Sequence, residues 1–267
     1  MVVRDAPVVS HVEHPRQAHR PRRVEVVEVL DVTPRMRRVR LAGDVHDLPV
    51  TGPTDHAKLF FPAAPGEEPP EPVLTARGLA APPPGVPRPY REYTLRHHDP
   101  VAGTVDVDLV RHGAGLAGAW AEDPRGALWI YGPRSSAVVE RRDWYLLGGD
   151  ETALPALARW LERSPRAAVV HVVVEVADEA EEAYLGEVPA HVTVHWCHRG
   201  TAAPGTTTLL DDALAAFTPP PGEGFAWMGA EAGALRPVRR RLRALLPPAA
   251  VDLDGYWRRG VAGTGLG

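Results

Sequence analysis

Residues 90–96, YREYTLR, set two arginines around a tyrosine-threonine pair directly after a run of prolines. Tyr93, Thr94 and Leu95 suit a pleated surface, where aromatic and β-branched side chains pack well, but a plain strand has no use for Arg91 and Arg96. The chemistry open to this set is to hold something flat and anionic. Tyr93 can stack on a ring, the Thr94 hydroxyl can hydrogen-bond a ring nitrogen, and Arg91 can meet a phosphate through its planar fork. The competing reading is an edge strand with solvated arginines.

Two glycine-rich turns add to the question. RHGAGLAGAW, residues 111–120, offers a helix start whose free N–H groups can face a pyrophosphate; it is equally an ordinary turn. GGDETALPA, residues 148–156, reads as a strand-to-helix turn at the carboxyl edge of a sheet, where nucleotides bind. Asp150 and Glu151 would repel a phosphate there, and capping of the helix explains them better. In HVTVHWCH, His191, His195 and Cys197 alternate onto one strand face while His198 falls on the other, which splits any metal-ligand set. No G-x-S-x-G is present, so Ser135 and Ser136 read as turn residues.

Positioning these groups calls for two kinds of architecture. VEVVEVL (24–30), RMRRVRL (35–41), AKLFF (57–61), YREYTLRHH, TVDVDLVRH (104–112) and ALWIYG (127–132) are short strand-like runs joined by Gly/Pro turns, the pattern of an N-terminal antiparallel β-barrel. Residues 62–89 hold ten of the 29 prolines and read as a long surface loop. Beyond Arg142 the text alternates strand and helix. WYLLGG, AAVVHVVVEV, HVTVHWC and GFAWMGA are strands, and helices are expected after residue 150, at 207–217 and at 234–246. That is a C-terminal α/β domain with a parallel sheet. The boundary falls near residues 137–143, giving domains 1–141 and 142–267.

Composition narrows the partners. In 267 residues, 44% hydrophobic, there is material for two cored domains. A net charge of -4 argues against a nucleic-acid binder, which needs a basic surface. A single cysteine, Cys197, rules out an intrachain disulfide or a CxxC site. The N-terminus lacks a signal-peptide core and no apolar run nears the ~18 residues that span a bilayer, so a cytoplasmic protein without membrane insertion is expected.

Taken in order, VTPRMRRVRL, AKLFFP, REYTLR, HGAGLAGAW, GPR, GGDETALPA, WCHRG, WMGAEAGALRPVRRRL and GYWRRG resemble the siderophore-interacting protein family, ferric-siderophore reductases of the ferredoxin-reductase-like superfamily. The resemblance implies an FAD-binding barrel and an NAD(P)H-binding α/β domain. Arg91, Tyr93, Thr94 and Arg96 match its flavin motif, with Tyr93 against the isoalloxazine and Thr94 near N5. His112, Gly113, Gly115, Ala117 and Trp120 match its second flavin segment, though Leu116 stands where the family usually has proline. Tyr256 and Trp257 match a C-terminal motif near the flavin. Gly149, Asp150, Glu151, Thr152 and Glu231 would face the nicotinamide nucleotide. Arg199 could meet a 2′-phosphate, which favours NADPH over NADH; a solvated arginine is the other reading. Lys58, Arg258 and Arg259 would line a basic pocket for an anionic ferric siderophore. The implied activity passes hydride to FAD and then single electrons to iron, in a monomer. The alternatives are a flavin enzyme with another acceptor (free flavin, a quinone or an electron-transfer protein) and a non-enzymatic binding module.

Overall fold

The computed structural model describes residues 9–15, 18–64, 66–76, 78–81, 89–113 and 115–261. They form two compact units, Val12–Ser136 and Ala137–Gly260, with residues 9–11 grouped with the second.

In chain order the first half carries β1 (Val9–Glu13), β2 (Arg22–Thr33), β3 (Met36–Gly43), β4 (His56–Phe60), β5 (Leu74–Thr75), β6 (Gly78–Leu79), β7 (Tyr90–Asp99), β8 (Thr104–Val110), α1 (Gly115–Glu122), β9 (Ala127–Tyr131) and β10 (Ser135–Val139). Six of these strands close a barrel in the order β2-β3-β8-β7-β4-β9, so every barrel strand is paired on both sides along part of its length. Alternate residues fill its inside: Val39 and Leu41 from β3, Leu59 from β4, Val105 and Val107 from β8, and Leu128 and Ile130 from β9. Ala117 and Ala121, four apart on α1, add a small-residue face to the same core. The outward residues of β3 and β8 are ionic: Arg38 grips Asp108 with two hydrogen bonds of 2.7 Å, and Arg40 holds Asp106 at 2.8 and 3.0 Å.

Residues 62–89 are less featureless than a surface loop. β5 and β6 pair within it, and the Trp129 indole donates to the Pro69 carbonyl at 3.2 Å, fixing the segment to β9. Ser135 and Ser136, read as turn residues, instead begin β10, which pairs with β1. The Ser136 hydroxyl is buried and bonded to Thr51 Oγ1 (2.8 Å) and His14 Nε2 (2.9 Å).

The second unit comprises β11 (Trp144–Gly149), α2 (Leu154–Arg163), β12 (Val169–Val176), β13 (Val192–His198), α3 (Leu209–Ala215), β14 (Gly224–Glu231), α4 (Leu235–Leu245) and β15 (Val251–Trp257). All sheet pairings are parallel and the order is β13-β12-β11-β14-β15. β11 and β14 are buried throughout, which explains their unbroken apolar text. β15, whose Val251-Asp-Leu-Asp alternation passes unread in the sequence, is the far edge strand. One face packs Leu210, Leu214, Leu235, Val238 and Leu242 from α3 and α4, and an aromatic chain of Tyr145, Trp160, Phe225, Trp227 and Tyr256 builds a second layer. Cys197 is buried on the edge strand β13, and burial, with Glu175 and Asp212 nearby, pushes its thiol up to about 11.

Candidate functional site

In the barrel unit, β7 carries the YREYTLR motif with a regular register against β4, in which Lys58 lies opposite Glu92 and Ala57 opposite Tyr93. Side chains alternate along a strand, so Arg91 and Tyr93 share one face and Thr94 lies on the other, with Tyr90 and Glu92. Arg96 falls where the register against β8 slips by one residue, a bulge that re-aims its side chain. Arg91 donates to the Tyr90 carbonyl at 2.7 Å.

Tyr93 packs on the barrel core, and Phe61 joins it to the second glycine-rich segment. The Phe61 ring meets Tyr93 edge-on at 6.3 Å and Trp120 at 5.2 Å. Burial raises the Tyr93 phenol well above its ordinary range, with Arg91 opposing, so the hydroxyl stays protonated at any physiological pH. Trp120 leaves its indole N–H buried with no hydrogen-bond partner among the described residues. Gly113 and Gly115 have φ of +63° and +68° with open space where a Cβ would project, and the α1 that follows has no acid in its first turn. The exposed His112 ring lies over Gly118, where a Cβ would come within 2.7 Å of it. An orphaned donor, an aromatic platform, open backbone at a helix start and Arg91 fit a flavin dinucleotide in chemical kind.

Lys58 is half-buried and paired across the strands. It forms an ion pair with Glu92 and sets its ammonium 4.3 Å from the centroid of the Tyr90 ring. Its charge is therefore balanced by a cross-strand partner.

In the second unit, the carboxyl ends of the strands gather the other predicted residues. Gly149 has φ of +147°, and a Cβ there would lie 2.7 Å from the Ala153 methyl and 2.9 Å from the Gly229 carbonyl carbon, so only glycine allows β11 to turn beside β14. Asp150 caps the following 3-10 turn, accepting from Thr152 N at 2.9 Å and Thr152 Oγ1 at 2.5 Å. Its second oxygen takes Glu231 N (3.0 Å) and the Trp257 indole (2.8 Å), joining β11, β14 and β15. Glu231 in turn accepts from Ala234 N at 2.8 Å and Arg259 N at 3.2 Å. Tyr256 stacks edge-on to Trp227, while Arg258 and Arg259 are exposed.

Arg199 is not the solvated arginine of one sequence reading. Its side chain is 4% exposed and is ion-paired with Glu151, itself 5% exposed. Glu175, which the sequence reading passed over, stands beside this pair with its carboxylate on Thr207 Oγ1 at 2.5 Å. The signal was there: one acid in VVHVVVEV, a strand otherwise all valine but for His171. Burial raises the pKa values of Asp150, Glu151 and Glu175; Arg199 opposes the shift of Glu151 and Glu175, and the Thr152 and Trp257 hydrogen bonds oppose that of Asp150.

A closed antiparallel barrel followed by a parallel sheet of order 3-2-1-4-5 defines the ferredoxin-reductase-like class. A ferredoxin NADP+ reductase from Neisseria gonorrhoeae shares that fold at 10% identity, with a TM-score of 0.59 over 89% of this chain and 99% of that one. The second unit matches the family model described as siderophore-interacting protein over residues 142–260, and the barrel matches the siderophore-interacting FAD-binding domain over residues 25–137. The chain belongs to the siderophore-interacting protein family. It is similar to a siderophore utilization protein from T. fusca, with 40% identity and a TM-score of 0.87 over 96% of this chain and 98% of that one. It is 30% identical over 184 residues to the ferric vibriobactin reductase ViuB of Vibrio cholerae, covering 67% of each. Among the described residues no helix is long and apolar enough to cross a membrane.

Proposed function

We propose that this chain is an FAD-dependent oxidoreductase that draws on a reduced nicotinamide nucleotide to reduce ferric siderophores, releasing iron(II). When bound, the flavin supplies the conversion of a two-electron hydride donor into single electrons for Fe(III). Hard oxygen donors that grip Fe(III) hold Fe(II) far more weakly, so reduction frees the metal.

The chain's own residues bind and orient. Tyr93, fixed against Phe61, offers a phenol ring as a platform; the Trp120 indole and the α1 N-terminus offer N–H donors; Arg91 and Arg96 supply positive charge for a diphosphate. Gly149 and the Asp150-capped turn shape the sheet edge where the nucleotide would lie. Lys58 with Glu92, and the exposed Arg258 and Arg259, are the residues proposed to meet the ferric chelate. The observation that carries this reading is the orphaned Trp120 indole N–H beside Phe61 and Tyr93 in a domain of an FAD-binding family.

An absorbance spectrum tests it. The purified protein, supplied with FAD, is expected to show a bound-flavin band that bleaches anaerobically with NADH or NADPH and returns when a ferric siderophore is added, with iron(II) captured by a chelating dye. A colourless protein that binds no FAD rejects the enzyme reading; a bleached band that returns faster with quinone or free flavin than with any ferric chelate rejects the substrate.

A further inference from the structure

Helix α4, LRPVRRRLRAL, holds arginines at 236, 239, 240, 241 and 243, and they do not share one environment. Leu235, Val238 and Leu242 form the stripe buried in the core. With 3.6 residues per turn, Arg241 flanks that stripe on one side, while Arg236, Arg239, Arg240 and Arg243 fall together on the opposite flank. Arg241 is answered, since its guanidinium grips Asp211 of α3 at 2.8 and 2.9 Å. The other four are exposed and, among the described residues, none is ion-paired with a carboxylate. Arg239 donates to the Leu253 carbonyl at 3.3 Å. The aspartates of that strand do not serve the flank. Leu253 packs with the α3–α4 core, so its neighbours Asp252 and Asp254 project from the other face of the sheet, where Asp254 accepts from the Trp227 indole at 3.3 Å.

This arrangement works against the helix itself. Arg236 and Arg240, and Arg239 and Arg243, are like charges four residues apart. Arg236 also sits in a first turn that has no acid, where a cation opposes the helix dipole. On the barrel's outer face, by contrast, Arg37, Arg38 and Arg40 each meet an aspartate. A cationic flank that the fold leaves without a counter-charge is complementary to an external anion, and its shape says which kind. It is convex, so it cannot enclose a small ligand. The large apolar side chains of Leu235, Val238 and Leu242 are committed to the core, and no aromatic or large aliphatic anchor of the sort that centres a protein interface stands among the arginines. A row of guanidinium groups spread over about 10 Å of helix suits a broad surface of mobile phosphodiesters, which the planar fork can grip two oxygens at a time.

We propose that the flank of α4 formed by Arg236, Arg239, Arg240 and Arg243 docks this protein on the headgroups of an anionic phospholipid leaflet, reversibly and with no segment entering the hydrocarbon. The inference is independent of the cofactor and electron acceptor that the chain uses.

Co-sedimentation of the full chain with vesicles tests it. One set is phosphatidylcholine alone; the other is roughly 60% phosphatidylcholine and 40% phosphatidylglycerol. At about 0.1 M salt the wild type is expected to partition at least tenfold more onto the anionic set, and to come off when the salt is raised to about 0.5 M. Each basic residue near such a surface strengthens binding about fivefold, so the triple variant Arg236→Gln, Arg240→Gln, Arg243→Gln should bind roughly a hundredfold more weakly. Its melting temperature should equal or exceed that of the wild type, because like-charge pairs have been removed. A control that removes three exposed arginines elsewhere, Arg125→Gln, Arg163→Gln, Arg166→Gln, has the same net charge and should keep most of the binding. No preference of the wild type for anionic vesicles overturns the proposal whether or not the variants fold. So does an equal loss in the triple variant and the control. Binding to polyglutamate with none to the vesicles also overturns it, in favour of an acidic protein partner.

Discussion

Asp252 lies on β15 two residues from Asp254, and burial, reinforced by that second carboxylate, raises its pKa to about 6 against the weaker pull of His11 and Arg239. The folded state therefore prefers the neutral form. Folding stability from this group is fully present below the unfolded pKa near 4 and is lost as pH rises through 6. Asp252→Asn, which cannot ionise, is expected to stabilise the protein at pH 8 by up to about 2 kcal/mol and to leave it nearly unchanged at pH 3. Urea midpoints at the two pH values check this, and an equal gain at both would assign the effect to packing. Single residues were unevenly readable beforehand. Asp150 was legible as a helix cap, because an acid at a strand-to-helix turn satisfies free N–H groups; its bond to Trp257 was not, because 107 residues separate the two. Arg199 was legible only in part, for a related reason. Its partner Glu151 sits on a different strand end, and no local pattern announces a pair brought together by sheet order.

The pairing of β3 with β8 shows how an element's outer face carries its own stability. Register sets Arg38 opposite Asp108 and Arg40 opposite Asp106, and both aspartates are less than 5% exposed. Burial alone would raise the Asp106 pKa, but hydrogen bonds from His97 and Arg40 outweigh it and hold the group at about 2. The stabilisation is fully present above the unfolded pKa near 4 and is lost as pH falls through 2. Asp106→Asn is expected to cost roughly 2 kcal/mol at pH 7 and almost nothing at pH 1.5 to 2, measured by guanidinium titration at each pH. The alternation in RMRRVRL and TVDVDLV made both strands legible, since period-2 text needs no knowledge of the partner. What it could not show was that the arginines of one run answer the aspartates of the other, or that β4 and β9 meet to close the barrel. Those pairings are non-local. The short β5, β6 and β10 lacked enough residues for any period to show.

At the level of the whole chain, the sequence divides where its grammar changes, from short alternating strands to strand-helix repeats, and the structure groups residues into Val12–Ser136 and Ala137–Gly260. Each half supplies a different part of the proposed chemistry: aromatic and N–H groups for a flavin in the barrel, and a carboxylate-rich sheet edge in the parallel domain. The order of strands in that sheet leaves β13 and β15 on its flanks, and the chain's single thiol sits on the former. Held as a protonated sulfhydryl and shielded from solvent, Cys197 should resist a thiol-directed dye at pH 8 for as long as its strand stays zipped to β12. Its labelling rate then counts the excursions in which this flank peels away. Occupancy of the neighbouring edge by a dinucleotide should slow that clock, whereas labelling as fast as in denaturant would show the flank already open.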